Sequence, residues 1–158
     1  MKKGLIIFLL SFISLGLFAC EKGDEATLET YSWVEESLTF GHPSPFHIKS
    51  MGENSLIVTE SETAGPMPGE VMFELMITSS EASQEENIKI YETYMEHTVS
   101  TVQLGENETI KVEYIAEIVP DFTYTVFILE TETGTLTFIP GLGHEDLAEA
   151  VIKSLAFL

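Results

Sequence analysis

The chain has 158 residues with seven Lys, no Arg and 26 acidic residues, a formal net charge of −19 at pH 7. That balance argues against nucleic-acid binding, because neutralising phosphates takes Lys and Arg, and against docking on anionic lipid through a basic patch. A single Cys excludes a disulfide framework and a Cys-rich zinc site, while 44% hydrophobic residues at this length point to one folded domain.

The N-terminus opens with Lys2 and Lys3, followed by the apolar run Gly4 to Phe18. Those 15 residues would make a helix of about 22 Å. A membrane-spanning helix wants roughly 20 apolar residues, so the run reads as a secretory h-region rather than an anchor. It ends Leu17-Phe18-Ala19-Cys20, and charge begins at Glu21. This junction resembles the lipobox of bacterial lipoproteins, with Phe18 departing from the small residue most often found there. The resemblance implies a signal peptide over 1–19, removed before Cys20. It also implies a diacylglyceryl thioether on Cys20 and acylation of the new amine. The residue type fits, since a thiol is the nucleophile that forms a stable thioether. One acyl chain holds a protein only marginally, whereas two or more hold it stably. Glu21 is not the Asp that resembles an inner-membrane retention signal, so outer-membrane sorting is preferred where a cell has an outer membrane. Beyond the signal, five Lys face 26 acidic residues, a net charge of −21. The expected surface is solvated and self-repelling.

Residues 20–36 read as the lipidated Cys and a polar tether, and 37–158 as a single α+β domain. Within the domain, Ser37 to Phe40 predicts a short strand, and "HPSPFH" breaks it with two prolines. Asn54 to Glu60 and Val71 to Ile77 read as strands, joined by a Gly/Pro loop over Thr63 to Glu70 that is expected to be exposed and mobile. Ser83 and Glu86 form an S-x-x-E capping box. Ile88, Tyr91, Met95, Val99 and Val102 recur at helical spacing, predicting a helix from Gln84 to Thr101. Ile110, Val112, Tyr114 and Ala116 then alternate with Lys111, Glu113, Ile115 and Glu117, a strand pattern. Phe122 to Glu130 is almost wholly apolar or β-branched and predicts a central strand buried on both faces. A turn at "TETG" leads into Thr135 to Pro140, a hairpin partner. Finally Leu147, Val151 and Leu155, beside Ala148 and Ile152, make one apolar stripe on a helix from His144 to Leu155.

Strands, helix, three strands and helix suit an antiparallel sheet flanked by segregated helices. The outline is similar to the PsbP-like fold, named for an extrinsic protein of photosystem II. The residues that carry the likeness are "LTFGHPSPFHI" (Leu38 to Ile48), the mid-chain helix, "YTVFILETETGTLTFI" (Tyr124 to Ile139) and "LAEAVIKSLAF" (Leu147 to Phe157). The resemblance implies an α/β/α sandwich over most of 37–157. It carries over no catalytic residue, because such proteins share a shape and no common site. Cystatin-like and nuclear-transport-factor-like α+β domains are the alternative, but they lead with a helix, and none is predicted before Gln84.

The candidates for chemistry are few. His42 and His47 bracket "PSPF", and imidazole is the commonest metal ligand, but a site needs three or four convergent donors. His97 and His144 fall on other elements. "HED" (His144 to Asp146) lacks the second imidazole of H-E-x-x-H, Ala148 standing in its place. Glu145 and Asp146 suit a first helical turn. "GLGHE" (Gly141 to Glu145) lacks the third Gly of a dinucleotide fingerprint and any nearby cation for phosphate. No G-x-S-x-G elbow and no P-loop occurs. Tyr31 and Trp33 precede the first predicted strand, where they are expected to cover a sheet edge rather than face a membrane or partner. The expected function is a non-enzymatic envelope lipoprotein whose domain binds a protein or small ligand, with no cofactor. The alternative is a hydrolytic or metal-dependent envelope enzyme using His42, His47 and a carboxylate.

Overall fold

Nine residues, Thr123–Thr131 (β8), lie inside a large antiparallel sheet and explain its two-sided core. The computed structural model describes residues 28–60, 73–94, 96–117 and 120–158. The signal segment, Cys20 and the Thr63 to Glu70 loop lie outside these residues. Ten strands and two helices are described: β1 (Leu28–Trp33), β2 (Leu38–Pro43), β3 (His47–Ser50), β4 (Ser55–Thr59), β5 (Leu75–Ser80), α1 (Gln84–Tyr91), β6 (Glu96–Leu104), β7 (Asn107–Ile115), β8, β9 (Gly134–Pro140), α2 (Glu145–Lys153) and β10 (Ala156–Phe157). They form a seven-stranded sheet in the order β3-β4-β5-β9-β8-β7-β6 and a three-stranded sheet β1-β2-β10. Every strand pair is antiparallel. The α+β class with antiparallel pairing is as expected, but the strands divide into two sheets where one was expected.

The apolar run of β8 serves both faces of the large sheet. Phe127 and Leu129 enter the main core with Leu136 and Phe138 of β9, the α2 residues Leu147, Ala148, Val151 and Ile152, and Trp33, Leu38 and Phe40 of the small sheet. Val126 and Ile128 point the other way, joining Val112 and the half-buried Ile88, Tyr91 and Tyr114 beneath α1. Alternation along the strand splits one apolar run between two cores.

Polar anchors fix the helices. The amide of Gln84 donates to the Ile128 carbonyl at 3.1 Å, and that of Asn87 to the Thr135 hydroxyl at 2.6 Å, holding α1 on the sheet. Asn107 donates to the Ile152 carbonyl at 2.8 Å, and the Gly41 amide donates to the Ser154 hydroxyl at 2.8 Å. These last two tie the end of α2 to the β6–β7 turn and to β2.

Four expectations need correction. The capping box at Ser83 and Glu86 forms, but the helix stops at Tyr91, not Thr101, and Glu96–Leu104 is a strand. The stretch Thr98 to Val102 is rich in β-branched residues, which favour strands. Its apparent helical period joined two different elements: Ile88 and Tyr91 pack under α1, while Val99 and Val102 alternate on β6. The expected tether carries β1, so the ordered sheet begins at Leu28 and not at Ser37. Tyr31 and Trp33 accordingly lie within a strand, and Trp33 is buried in the core. "HPSPFH" interrupts the strands only briefly, since β2 runs to Pro43 and β3 starts at His47. The last helix ends at Lys153, and Ala156–Phe157 pairs with Thr39 and Leu38 as β10.

Candidate functional site

The four histidines fall on four different elements. His42 lies on β2, buried at 7% exposure, with Nδ1 lacking a hydrogen-bond partner. His47 stands on β3 of the other sheet. His97 opens β6, exposed, its Nδ1 3.1 Å from the Tyr94 carbonyl oxygen. His144 is the N-cap residue of α2 and makes no side-chain cap bond. Among the described residues no group of three His, Cys, Asp or Glu is placed to hold a metal ion. Cys20 falls outside the described residues.

The G-x-G stretch has a backbone explanation. A Cβ on Gly141 would sit 2.7 Å from the Phe73 carbonyl oxygen, and Gly143 has φ of +80°. Glu145 and Asp146 occupy the first turn of α2, where acidic groups suit the helix dipole.

On the α1 side, four tyrosines stack. Tyr114 lies 5.2 Å from Tyr91, 4.5 Å from Tyr94 and 5.5 Å from Tyr124 between ring centroids. Burial, and then the neighbouring phenols, push the Tyr91 hydroxyl up to about 12, and the same causes raise Tyr114. The Tyr91 and Tyr114 phenols therefore stay neutral at ordinary pH and work as packing groups. A shallow hollow of about 570 Å³ opens beside them, lined by Glu96, His97, Glu113 and Tyr114 among others.

A larger groove, about 690 Å³, lies at the opposite end of β8. Three chain segments build it: the β1–β2 turn with Glu35, Glu36 and Ser37, the β8–β9 turn from Glu130 to Thr133, and the C-terminal Phe157 and Leu158. Leu38 and Leu136 form a buried floor, while Phe157 is 52% exposed and Leu158 80%. The Leu158 amide donates to the Ser37 carbonyl at 2.8 Å, closing the C-terminal wall. Glu36 accepts a hydrogen bond from the Ser79 hydroxyl, fixing one rim carboxylate to β5. Glu35, Glu130 and Glu132 are the other rim carboxylates, and no Lys lines the groove. The groove thus sets a small apolar floor inside a rim of one charge sign. Sequence reading misses it because its acids come from two turns far apart in the chain, each resembling an ordinary solvated loop.

No protein-family model matches the chain, and no curated protein matches it. A solved structure from Bacteroides thetaiotaomicron VPI-5482 is similar over 82% of this chain, with 17% identity and a TM-score of 0.48. The match covers 48% of that structure's chain, so this chain spans about half its length.

Proposed function

We propose that the chain is an envelope lipoprotein, anchored through lipid on Cys20, whose PsbP-like domain binds a partner rather than catalysing a reaction. The observation that carries the anchoring is the seam Leu17-Phe18-Ala19-Cys20 behind a Lys2-Lys3 start and a 15-residue apolar run. The fold reading is supported by helices on both faces of an antiparallel sheet and by the closing pattern Ser154-Leu155-Ala156-Phe157. The ligand surface in this reading is the glutamate-rimmed groove. Charge complementarity selects its occupant: a cationic segment with apolar side chains, such as a Lys-rich amphipathic peptide of an envelope protein.

Two experiments test the two halves separately. Radiolabelled palmitate should enter the wild-type chain and not the Cys20→Ser variant, which should leave the membrane fraction or keep its signal. An unmodified chain with Met1 intact would overturn the anchoring. For the groove, an alternating Lys/Leu peptide serves as the probe. Glu130→Gln with Glu132→Gln should weaken its binding about fivefold, the scale of two exposed ion pairs. Glu106→Gln with Glu108→Gln removes the same charge from the exposed β6–β7 hairpin, and should change binding far less. Equal losses in the two double variants would reduce the attraction to net charge alone and overturn the groove.

A further inference from the structure

Strand β6 is one of the two outer edges of the seven-stranded sheet. Its nine residues pair with β7 in unbroken register, from Glu96 opposite Ile115 to Leu104 opposite Asn107, with no bulge to turn the edge away. Exposed strand edges are normally guarded by Lys, Pro, a bulge or shortness. The opposite edge, β3, is four residues long and carries Lys49. β6 has none of these guards. It carries a single carboxylate, Glu96, in a chain with 26 acidic residues, and Val99 on it is 41% exposed.

We propose that β6 is a self-association edge, where two copies of this chain pair antiparallel about a two-fold axis at Ser100. Ser100 is the midpoint of Glu96–Leu104, so this register pairs the whole strand. An isologous contact then sets Val99 beside Thr101 of the second copy, and Thr98 beside Val102. Both are cross-strand pairs of β-branched side chains, which stabilise sheets. Charge selects the second copy's position. Each Glu96 falls opposite Leu104, and the two Glu96 carboxylates stand about 27 Å apart along the strands, beyond the Debye length at physiological salt. The nearest like charges meet only at the two ends, where Glu106 of the β6–β7 turn approaches Glu96 of the other copy. Added salt therefore strengthens the pairing. β6 itself brings only one carboxylate, Glu96, to such a contact.

Ser100→Cys in the full-length chain gives a sharp test. Opposed Cα atoms in an antiparallel pair lie about 4.5–5.5 Å apart, within the span of a disulfide. Mild oxidation should convert most of this variant to a disulfide dimer. It should do so about tenfold faster than Glu92→Cys, an exposed control at the end of α1, with the wild type reporting any contribution from Cys20. Light scattering should give a dimer that tightens from about 0.15 M to about 0.5 M salt. Ser100→Lys, which sets two ammonium groups face to face, should be monomeric yet folded, with a melting temperature that no longer rises with protein concentration as the wild type's does. Should Ser100→Lys fail to fold, the oxidation rates still decide. Cross-linking of Ser100→Cys no faster than Glu92→Cys, or a wild type monomeric at both salt concentrations, would overturn the proposal.

Discussion

Val151→Asp is expected to remove most of the domain's stability. Val151 is fully buried in the main core, on the face of α2 that also presents Leu147, Ala148 and Ile152. A carboxylate placed there has no cation within the cluster, which consists of apolar side chains from both sheets. The cost of leaving a buried charge unpaired is about 3–5 kcal/mol. Domains of this size have only about 5–15 kcal/mol in total. A helix of this length is marginal alone in water, so its stripe must find the sheet to persist. The helix is also bonded at its end, through the Ile152 carbonyl and Ser154. Lys153→Ala is the matching surface change. It breaks only the half-exposed pair with Glu149 at 2.9 Å and should cost well under 1 kcal/mol. Urea unfolding followed by circular dichroism separates the two. Deletion beyond Gly143 should leave an aggregating chain. If Val151→Asp or the deletion melted cooperatively near the wild-type temperature, α2 would not belong to the core.

The elements legible in the sequence are those whose local pattern and tertiary surroundings agree. β8 is apolar at every central position because both faces are covered, and α2 carries an unmixed stripe. The β8–β9 hairpin follows from its turn, Thr131 pairing with Gly134. The region from Tyr91 to Leu104 misleads because its apolar spacing outweighs its residue types. A capping box marks where a helix starts and says nothing of where it ends. Here Glu92 is the C-cap residue, and the β-branched run beyond it belongs to a strand. Short strands such as β3 and β10 leave almost no pattern, since four or two residues fit many conformations. Their pairing is set by the neighbours they meet. The groove is illegible for a related reason: Glu35 and Glu132 become neighbours only once the small sheet packs on the large one. Cys20 lies outside the described residues, and its proposed lipidation rests on its sequence surroundings alone.

Trp33→Ala should destabilise the domain by about 3–5 kcal/mol, the range for emptying a buried aromatic site. Trp33 ends β1 opposite Leu38, with 2% of its surface exposed, and it packs into the same core as Phe40, Phe138 and α2. Tyr31 lies half-buried on the same strand, 5.5 Å from the Phe40 ring, and should cost less. As the sole Trp, Trp33 also reports on itself. In the native chain its fluorescence should be blue-shifted and shielded from acrylamide, and unfolding should abolish both. Trp33→Phe, which keeps a ring in the site, should recover much of the loss. The result bears on anchoring as well as stability. With β1 part of the domain, the proposed lipid tether runs only from Cys20 to Thr27. Eight extended residues reach about 27 Å, which would hold the domain close to the membrane surface. A native Trp33 that is readily quenched, or a Trp33→Ala chain as stable as wild type, would detach β1 from the core and return residues 28–36 to the tether.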